Sequence, residues 1–369
     1  MALSPYIPEA LPLSGLDIKK LISIVGTANA ALARYDGLLL GLVNPAIMLS
    51  PLTNQEAVLS SKIEGTQTTV EEVMGHEAGD EFDTEKENDI QEILNYRRAM
   101  ILGQEALEDR QLSLHLIQSL HQLLMTSVRG EDKNPGEFRK DQNWIGSPGC
   151  TIEEATFIPP SPLQLHDHLL AWQSYMEIGD FDSIVQTAIV HAQFELLHPF
   201  KDGNGRIGRL LIPLFLYSKK QLSSPMFYLS EYLERHREEY YARLGGISEN
   251  NEWTEWIVFF LNAVTEQAQK NMGRLRFTID LYDYTKNQVR KLTHSPHSAQ
   301  TVDTLFDRPI FTISDFSKRA DIPKPTCHKL IKQLEAEGIV QVMKPGAGRR
   351  AAIYIFPELL NTLEGQQVV

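Results

Sequence analysis

Apolar residues recur at intervals of three and four positions along most of this chain, which predicts a mainly helical protein. The first long amphipathic run begins at Asp17 and is expected to end near Asn44. A second helix is expected to follow Asn54 as its cap and to end at Gly65. Further runs at helical spacing cover residues 90–107, 113–128, 162–176, 184–197 and 266–292.

Glycine, proline and β-favouring residues interrupt this helical pattern between residues 134 and 160. The β-favouring pieces lie around Trp144 and around Phe157, and turn residues separate them. This arrangement predicts a β-hairpin over residues 143–158.

The C-terminal residues 297–369 show a third pattern, in which two short helical stretches flank a turn and two β-favouring stretches follow. This order resembles a winged-helix domain. Residues 301–369 contain nine Lys and Arg and eight Asp and Glu, so contact with DNA, contact with protein and packing within the chain all stay open. If this region contacts DNA, the candidate contacts are Lys324, Lys329, Lys332, Arg349 and Arg350.

Net charge, cysteine content and the length of apolar runs exclude several classes of protein. The net charge of -13 gives the chain no overall electrostatic attraction to nucleic acid or to an anionic membrane. Cys150 and Cys327 are far apart and neither belongs to a CxxC pair, so we expect neither a disulfide framework nor a structural zinc site. No apolar run reaches the length of a membrane span. We expect a cytoplasmic protein that does not bind membranes.

One segment, residues 198–209 with the sequence HPFKDGNGRIGR, concentrates most of the candidate chemistry. Gly203 and Gly205 can adopt backbone angles that other residues avoid, so the amides between them can converge on an anion. The apolar residues that follow are typical of a buried helix, whose first turn adds free amides and a positive dipole end. Arg206 and Arg209 share one side of that helix and can bind further phosphates. The segment therefore predicts a triphosphate site.

Asp202 and His198 add a metal ligand and a base to this predicted site. One carboxylate together with substrate phosphates is the usual arrangement for Mg²⁺ at a nucleotide. The imidazole of His198 can accept a proton from an attacking hydroxyl while the amides stabilise charge on phosphorus.

The segment resembles the signature of the Fic (fido) family, HxFx(D/E)GNGRxxR, and every fixed position of that signature is present. The resemblance implies a protein adenylyltransferase, which binds ATP with Mg²⁺ and transfers AMP to a Tyr, Thr or Ser hydroxyl of a target protein. It implies that His198 is the general base, Asp202 the metal ligand and Asn204 part of the anion hole for the α-phosphate. The other nucleotide contacts that it implies in this segment are Gly203, Gly205, Arg206, Ile207, Gly208 and Arg209.

The resemblance extends to a second motif in the N-terminal half. Ser60, Glu64 and Gly65 have the spacing of (S/T)xxxE(G/N), an inhibitory motif found in many Fic proteins. A carboxylate of Glu64 that pairs with Arg209 would occupy the position that the γ-phosphate needs. Glu64 is therefore also counted among the residues of the nucleotide site, and we expect the enzyme to inhibit itself.

Two further parts of the chain acquire a role from the resemblance. One of Tyr240 and Tyr241 is expected to contact the adenine. The hairpin over 143–158 is expected to hold the target protein by main-chain pairing. Whether the chain forms a homodimer stays open.

The expected fold class is mainly α: a Fic-fold helical core with a β-hairpin flap and a C-terminal winged helix-turn-helix domain. We expect an N-terminal helical region over 1–110, the core over 111–292 and the winged helix over 297–369. The alternative function is a DNA- or protein-binding regulator with a Fic core of little turnover. The complete set of chemical groups between His198 and Arg209 favours the enzyme.

Overall fold

The computed structural model describes residues 4–42, 45–126, 128, 133–147, 149–348 and 350–364. Within these ranges the chain is mainly helical, which confirms the expected fold class, and it forms fifteen α-helices and three β-strands. No described helix combines the length and the hydropathy that a membrane span requires. Pro148 of the predicted hairpin and the predicted DNA contact Arg349 lie outside the described residues.

The helices are α1 (Ile18–Leu40), α2 (Pro45–Ile63), α3 (Val70–Glu77), α4 (Thr84–Asp109), α5 (Leu114–Leu124), α6 (Pro162–Glu177), α7 (Ser183–Leu197), α8 (Asn204–Ser218), α9 (Ser230–Arg235), α10 (Arg237–Asn250), α11 (Trp253–Thr293), α12 (Ser298–Asp307), α13 (Ile313–Ala320), α14 (Lys324–Ala336) and α15 (Pro357–Glu364). The strands are β1 (Ile310–Thr312), β2 (Gln341–Lys344) and β3 (Ile353–Ile355).

The start of α2 differs from the expectation. The helix begins at Pro45, whose fixed φ suits a first helical position. Asn54, the expected cap, lies inside the helix and is 1% exposed. The expected end is confirmed, because α2 stops at Ile63 and Gly65 turns the chain with a φ of 102°. Glu64 is thus the first residue after the helix.

The chain forms two compact units by its internal contacts. The first comprises Met1–Gly37, Leu59–Thr66 and Leu94–Gln269, and the second comprises Leu38–Val58, Gln67–Ile93 and Lys270–Val369. The boundaries expected near residues 110 and 292 stay a prediction.

In the first unit, α7 is buried on almost every side. Apolar residues lie on every side of this helix and several polar ones are buried with them, as expected of a helix at the centre of a helical core. The indole nitrogens of Trp172 and Trp256 donate to the carbonyls of Val190 and Ala188, at 3.0 and 2.9 Å, so both large side chains are buried without losing a hydrogen bond. This helix delivers His198, which directly follows it.

In the second unit, the three strands form an antiparallel sheet in the order β1-β3-β2. The helix α13 starts at the Thr312 cap and ends at Asp321, which adopts a left-handed conformation with a φ of 51°. The helix α14 and the strands β2 and β3 follow. The helix, turn, helix and two strands expected from the sequence are therefore present in this order.

The acidic segment after α3 contacts this sheet region within the second unit. Asp80 pairs with Lys344, and Glu81 pairs with Arg350, one of the predicted DNA contacts. Such partly exposed pairs contribute little stability. They do neutralise two cations next to the turn between β2 and β3.

The cap of α7 leads to a stability prediction. Asp182 Oδ1 accepts hydrogen bonds from the amides of Ile184 and Val185, both at 2.9 Å, and Oδ2 accepts from Asn29 Nδ2 at 2.7 Å. Asp182→Ala should cost about 1–2 kcal/mol, because the first-turn amides lose their acceptor. Asp182→Asn keeps a cap acceptor and should cost less. Thermal unfolding followed by circular dichroism tests this order, and equal losses in both variants would contradict it.

Candidate active site

The turn from α7 to α8 is bracketed by two residues in the left-handed conformation. His198 has φ 45° and ψ 59°, and Gly203 has φ 75°. Glycine adopts this conformation without strain, whereas a histidine there is uncommon and marks a backbone that its surroundings hold in place. The loop 198–203 is therefore a constrained element.

Asn204 holds the loop from its C-terminal side. Its Oδ1 accepts from the amide of Phe200 and its Nδ2 donates to the carbonyl of Phe200, both at 2.8 Å, and the residue is 2% exposed. Both polar groups of the side chain are thus used within the loop. The anion-hole role expected for Asn204 stays a prediction.

His121 on α5 holds the loop from behind, and sequence reasoning missed it. Its Nδ1 accepts from the amide of Gly136 at 2.8 Å, so Nε2 carries the proton that is donated to the carbonyl of Asp202 at 2.9 Å. The ring stacks on Phe200 with centroids 3.7 Å apart. Burial lowers the pKa of His121 to about 4, so the ring is neutral at physiological pH. The available signal was one histidine on the apolar side of α5.

Arg139 holds the start of the loop and was also missed. Its Nε donates to the carbonyl of His198 at 2.9 Å, and its Nη2 donates to the carbonyl of Pro160 at 2.6 Å. The residue is 3% exposed, and burial lowers its pKa to about 10, which leaves it charged at neutral pH. A buried guanidinium with several donors therefore satisfies carbonyls that helix α7 leaves unpaired.

A cavity of about 880 Å³ opens beside this loop. It is lined by predicted site residues, by the predicted flap and by the last turns of α10. The predicted site residues that line it are Glu64, His198, Gly205, Arg209, Tyr240 and Tyr241. The predicted site residues outside the lining are Ser60, Gly65, Asp202, Gly203, Asn204, Arg206, Ile207 and Gly208.

The imidazole of His198 is neutral and oriented. Burial lowers its pKa to about 4, although the Glu195 carbonyl and the Glu64 carboxylate act in the opposite direction. Nδ1 lies 3.3 Å from the carbonyl of Glu195 and is therefore the protonated nitrogen. This tautomer leaves the lone pair on Nε2, so Nε2 can accept a proton.

Arg209 is held by Ser60 and Glu64 of the N-terminal motif. Its Nε donates to Ser60 Oγ at 2.9 Å, and its Nη2 lies 2.6 Å from Glu64 Oε1 and 2.9 Å from the carbonyl of Ser60. Burial acts to raise the pKa of Glu64, but the charge and the hydrogen bond of Arg209, together with Arg206 and His198, outweigh burial and hold that pKa below its usual value. The ion pair expected from the sequence is present, and Glu64 is ionised at neutral pH.

Asp202 and Arg206 form the other charged part of the loop. Arg206 Nη2 lies 3.5 Å from Asp202 Oδ1, and the Asp202 side chain is 45% exposed. Within the described ranges no group of three or more His, Cys, Asp or Glu residues is placed to hold a metal ion. One exposed carboxylate fits Mg²⁺ only when phosphate oxygens supply other ligands.

The two tyrosines both line the cavity but differ in how far they are exposed. Tyr240 is 1% exposed and its hydroxyl donates to His191 Nε2 at 3.0 Å, while His191 Nδ1 donates to the carbonyl of Gly208 at 2.9 Å. This chain of bonds links α10, α7 and α8. Tyr241 is 45% exposed and is the more accessible ring for a ligand.

The predicted hairpin over 143–158 is present only as a single antiparallel bridge between Ile145 and Phe157. The chain between these two residues forms turns. Gly149 has a φ of 79°, and a 3-10 turn with a capping box follows at Ile152–Glu154. The two ends of the predicted hairpin therefore pair at this one bridge, which lies at the cavity. Trp144 and Ile145 are 41% and 39% exposed beside it.

Comparison with family profiles matches the Fic/DOC family N-terminal domain to residues 22–105 and the Fic/DOC family domain to residues 111–216. Together these matches cover just over half of the chain. The chain belongs to the Fic/DOC family.

Among curated proteins, this Fic chain is similar to a probable protein adenylyltransferase, aq_aa38 of Aquifex aeolicus (strain VF5), with 26% identity over 53% of this chain and 55% of that protein. It is also 27% identical to the protein adenylyltransferase Fic of Aedes aegypti, over 42% of this chain and 26% of that protein. The matches therefore span about half of the first relative and a quarter of the second.

Among solved structures, a Fic family protein from Desulfovibrio desulfuricans G20 is similar with a TM-score of 0.58 and 18% identity, over 96% of this chain and 98% of that chain. A Fic-1 structure from C. elegans has a TM-score of 0.52 and 17% identity, over 70% of this chain and 76% of that chain. These similarities support the Fic fold.

The contacts of His121 predict how the loop depends on it. His121→Phe keeps an aromatic ring over Phe200 but loses both hydrogen bonds, each worth about 0.5–1.5 kcal/mol. Amides of the loop should then exchange with deuterium about ten to a hundred times faster. Hydrogen exchange with mass spectrometry measures this change. His121→Gln keeps a donor and should show a smaller increase. If the loop amides of His121→Phe exchange as slowly as those of the unchanged protein, His121 does not hold the loop.

Proposed function

We propose that this protein is an adenylyltransferase that transfers AMP from ATP to a hydroxyl side chain of a target protein. One observation carries the proposal: His198, Gly205 and Arg209 border the same cavity of about 880 Å³. That volume suits a small ligand of nucleotide size. Membership of the Fic/DOC family and similarity to proteins named as protein adenylyltransferases support the same reaction.

The proposed chemistry is attack of the target hydroxyl on the α-phosphorus. His198 Nε2 takes the hydroxyl proton as the new oxygen–phosphorus bond forms. The bond from the α-phosphorus to the oxygen that bridges to the β-phosphate breaks, and pyrophosphate leaves. A pKa of about 4 keeps His198 unprotonated and ready to accept at neutral pH.

The phosphates are proposed to lie over the start of α8. The first-turn amides of a helix have no partner within it, and they stabilise negative charge together with the helix dipole. Arg209 is proposed to bind the γ-phosphate and Arg206 the β-phosphate, since both arginines are on this helix. Mg²⁺, when bound, would be held by Asp202 and phosphate oxygens and would supply positive charge there.

Glu64 is proposed to inhibit this reaction. Its carboxylate occupies Arg209, so a γ-phosphate must displace it before ATP can bind productively. The depressed pKa of Glu64 means that the pair is present above the usual range of a glutamate and is lost only as the pH falls through the lower, folded-state value. Mild acidification should therefore not relieve the inhibition.

The target protein is proposed to dock along the bridge between Ile145 and Phe157. Both residues line the cavity, so a hydroxyl on an extended segment paired there would lie on the His198 side. Trp144 and Ile145 are exposed and offer apolar contacts to that segment.

The C-terminal region is proposed to be a winged helix that binds DNA only weakly. Lys324, Lys329 and Lys332 on α14 are exposed. The wing cations Lys344 and Arg350 are instead paired with Asp80 and Glu81. This pairing favours packing within the chain over contact with phosphates.

The inhibitory pair yields a direct prediction. Glu64→Gly should raise AMP incorporation from radiolabelled ATP by about tenfold or more, because Arg209 becomes available to the γ-phosphate. Glu64→Gln keeps an oxygen for Arg209 without the charge and should give an intermediate gain. Adding His198→Ala to Glu64→Gly should abolish incorporation. Labelling that stays unchanged or falls in Glu64→Gly would refute the inhibitory role.

The wing pairs yield a second prediction. Asp80→Asn with Glu81→Gln should raise the affinity for duplex DNA several-fold at low salt. The slope of the logarithm of the binding constant against the logarithm of the salt concentration should become more negative by up to about two. Fluorescence anisotropy against salt concentration measures both quantities. Glu108→Gln with Asp109→Asn makes the same change in net charge at the end of α4 and should have little effect. Equal gains in both double variants would show that only net charge matters.

A further inference from the structure

Glu195 is a cavity residue that the proposed chemistry leaves unused. It lies on α7 three residues before His198 and lines the same cavity as Arg209. Its Oε1 is buried and has no hydrogen-bond partner among the residues that the structure describes. The carboxyl packs against Gly208 so closely that a Cβ added there would lie 2.1 Å from Oε1. A buried polar atom without a partner is costly, which points to a partner supplied by a ligand.

The charges around Glu195 are unfavourable for an anionic ligand. The described lining contains four carboxyl groups and one arginine, namely Glu64, Glu195, Glu249, Glu252 and Arg209. The titratable groups whose charges act on Glu195 or respond to it are Arg209, Glu64, Tyr240 and Tyr241. When a triphosphate replaces Glu64, it places negative oxygens in the same part of the cavity. An ionised Glu195 would then face those oxygens without a cation of its own.

We propose that Glu195 binds the nucleotide as a neutral carboxylic acid and donates its proton in a hydrogen bond to an oxygen of the triphosphate. This inference rests on the proposed function. The proton comes from solvent, so each nucleotide that binds takes up one proton whenever Glu195 is ionised beforehand. No covalent bond of the nucleotide changes in this step.

The resting state of Glu195 suits such a role. Burial raises its pKa to about 7, with Arg209 lowering it and Glu64 raising it further. Below pH 7 the acid is already protonated in the free protein, so binding takes up little. Above pH 7 it is increasingly ionised, so binding takes up a proton and affinity falls by up to about tenfold for each pH unit.

Titration calorimetry tests the proposal with the full chain carrying Glu64→Gly and His198→Ala. The first change frees Arg209, and the second prevents turnover and removes the imidazole of His198, a second group in the cavity that could take up a proton. Binding of ATP with Mg²⁺ is measured at pH 8 in two buffers with different heats of ionisation, which gives the number of protons taken up. We expect uptake approaching one proton, and a dissociation constant that rises several-fold between pH 7 and 8.

Glu195→Gln added to this protein is the matched variant, because the amide keeps the shape and the donor of the neutral acid. We expect it to bind ATP without the uptake and with little pH dependence, whereas Glu249→Gln, at an exposed carboxylate of the same cavity, keeps the uptake. Ionisation of ATP itself is common to all variants. This inference alone would be overturned if the protein with Glu64→Gly and His198→Ala binds ATP without taking up protons. It would also be overturned if the Glu195→Gln variant takes up as many protons as that protein. Absence of ATP binding in every variant would overturn the proposed function as well.

Discussion

The candidate site depends on buried donors that satisfy the carbonyl groups of the loop between α7 and α8. Arg139 donates to His198, Asn204 to Phe200 and His121 to Asp202. Buried carbonyls must be paired, and these three partners are side chains, while the backbone amides of Arg139 and Ile207 donate to the carbonyls of Pro199 and Gly203. Because the carbonyls are bound from behind, the loop keeps one conformation, in which the histidine ring and the start of α8 border one cavity.

Gly205 lies next to the contact between Glu64 and Arg209. A Cβ added there would lie 2.2 Å from Glu64 Oε1 and 2.9 Å from Arg209 Nη1. The absence of a side chain therefore lets the carboxylate reach Arg209 directly over the helix start. The same open space is what a phosphate would need to approach the amides. The small size of Gly205 is thus compatible with both the observed carboxylate and the phosphate proposed to replace it.

The sequence predicted the residues that carry the proposed chemistry better than it predicted the residues that hold the loop in place. The resemblance of the signature and of the Ser60–Glu64 spacing to family motifs predicted the pair between Glu64 and Arg209, although 145 positions separate these residues. The sequence did not predict the roles of His121 and Arg139, because they bind backbone carbonyls 81 and 59 positions away and follow no local pattern. The start of α2 was wrong because burial of Asn54 overrode its preference for a cap. The flap was predicted in place, but turn chemistry between its ends reduced the ladder to one bridge.

The C-terminal region shows why a local charge count is a poor guide to a partner. Counted alone, residues 301–369 are nearly neutral and leave a DNA-binding face open. The carboxylates that pair with Lys344 and Arg350 belong to residues 80 and 81, far outside that count. These acids make the electrostatic surface near the turn between β2 and β3 less positive than the sequence of residues 301–369 implies. Recognition of DNA would have to rely on the lysines of α14 or first release the acidic segment, and each route loses part of the attraction that phosphate binding requires.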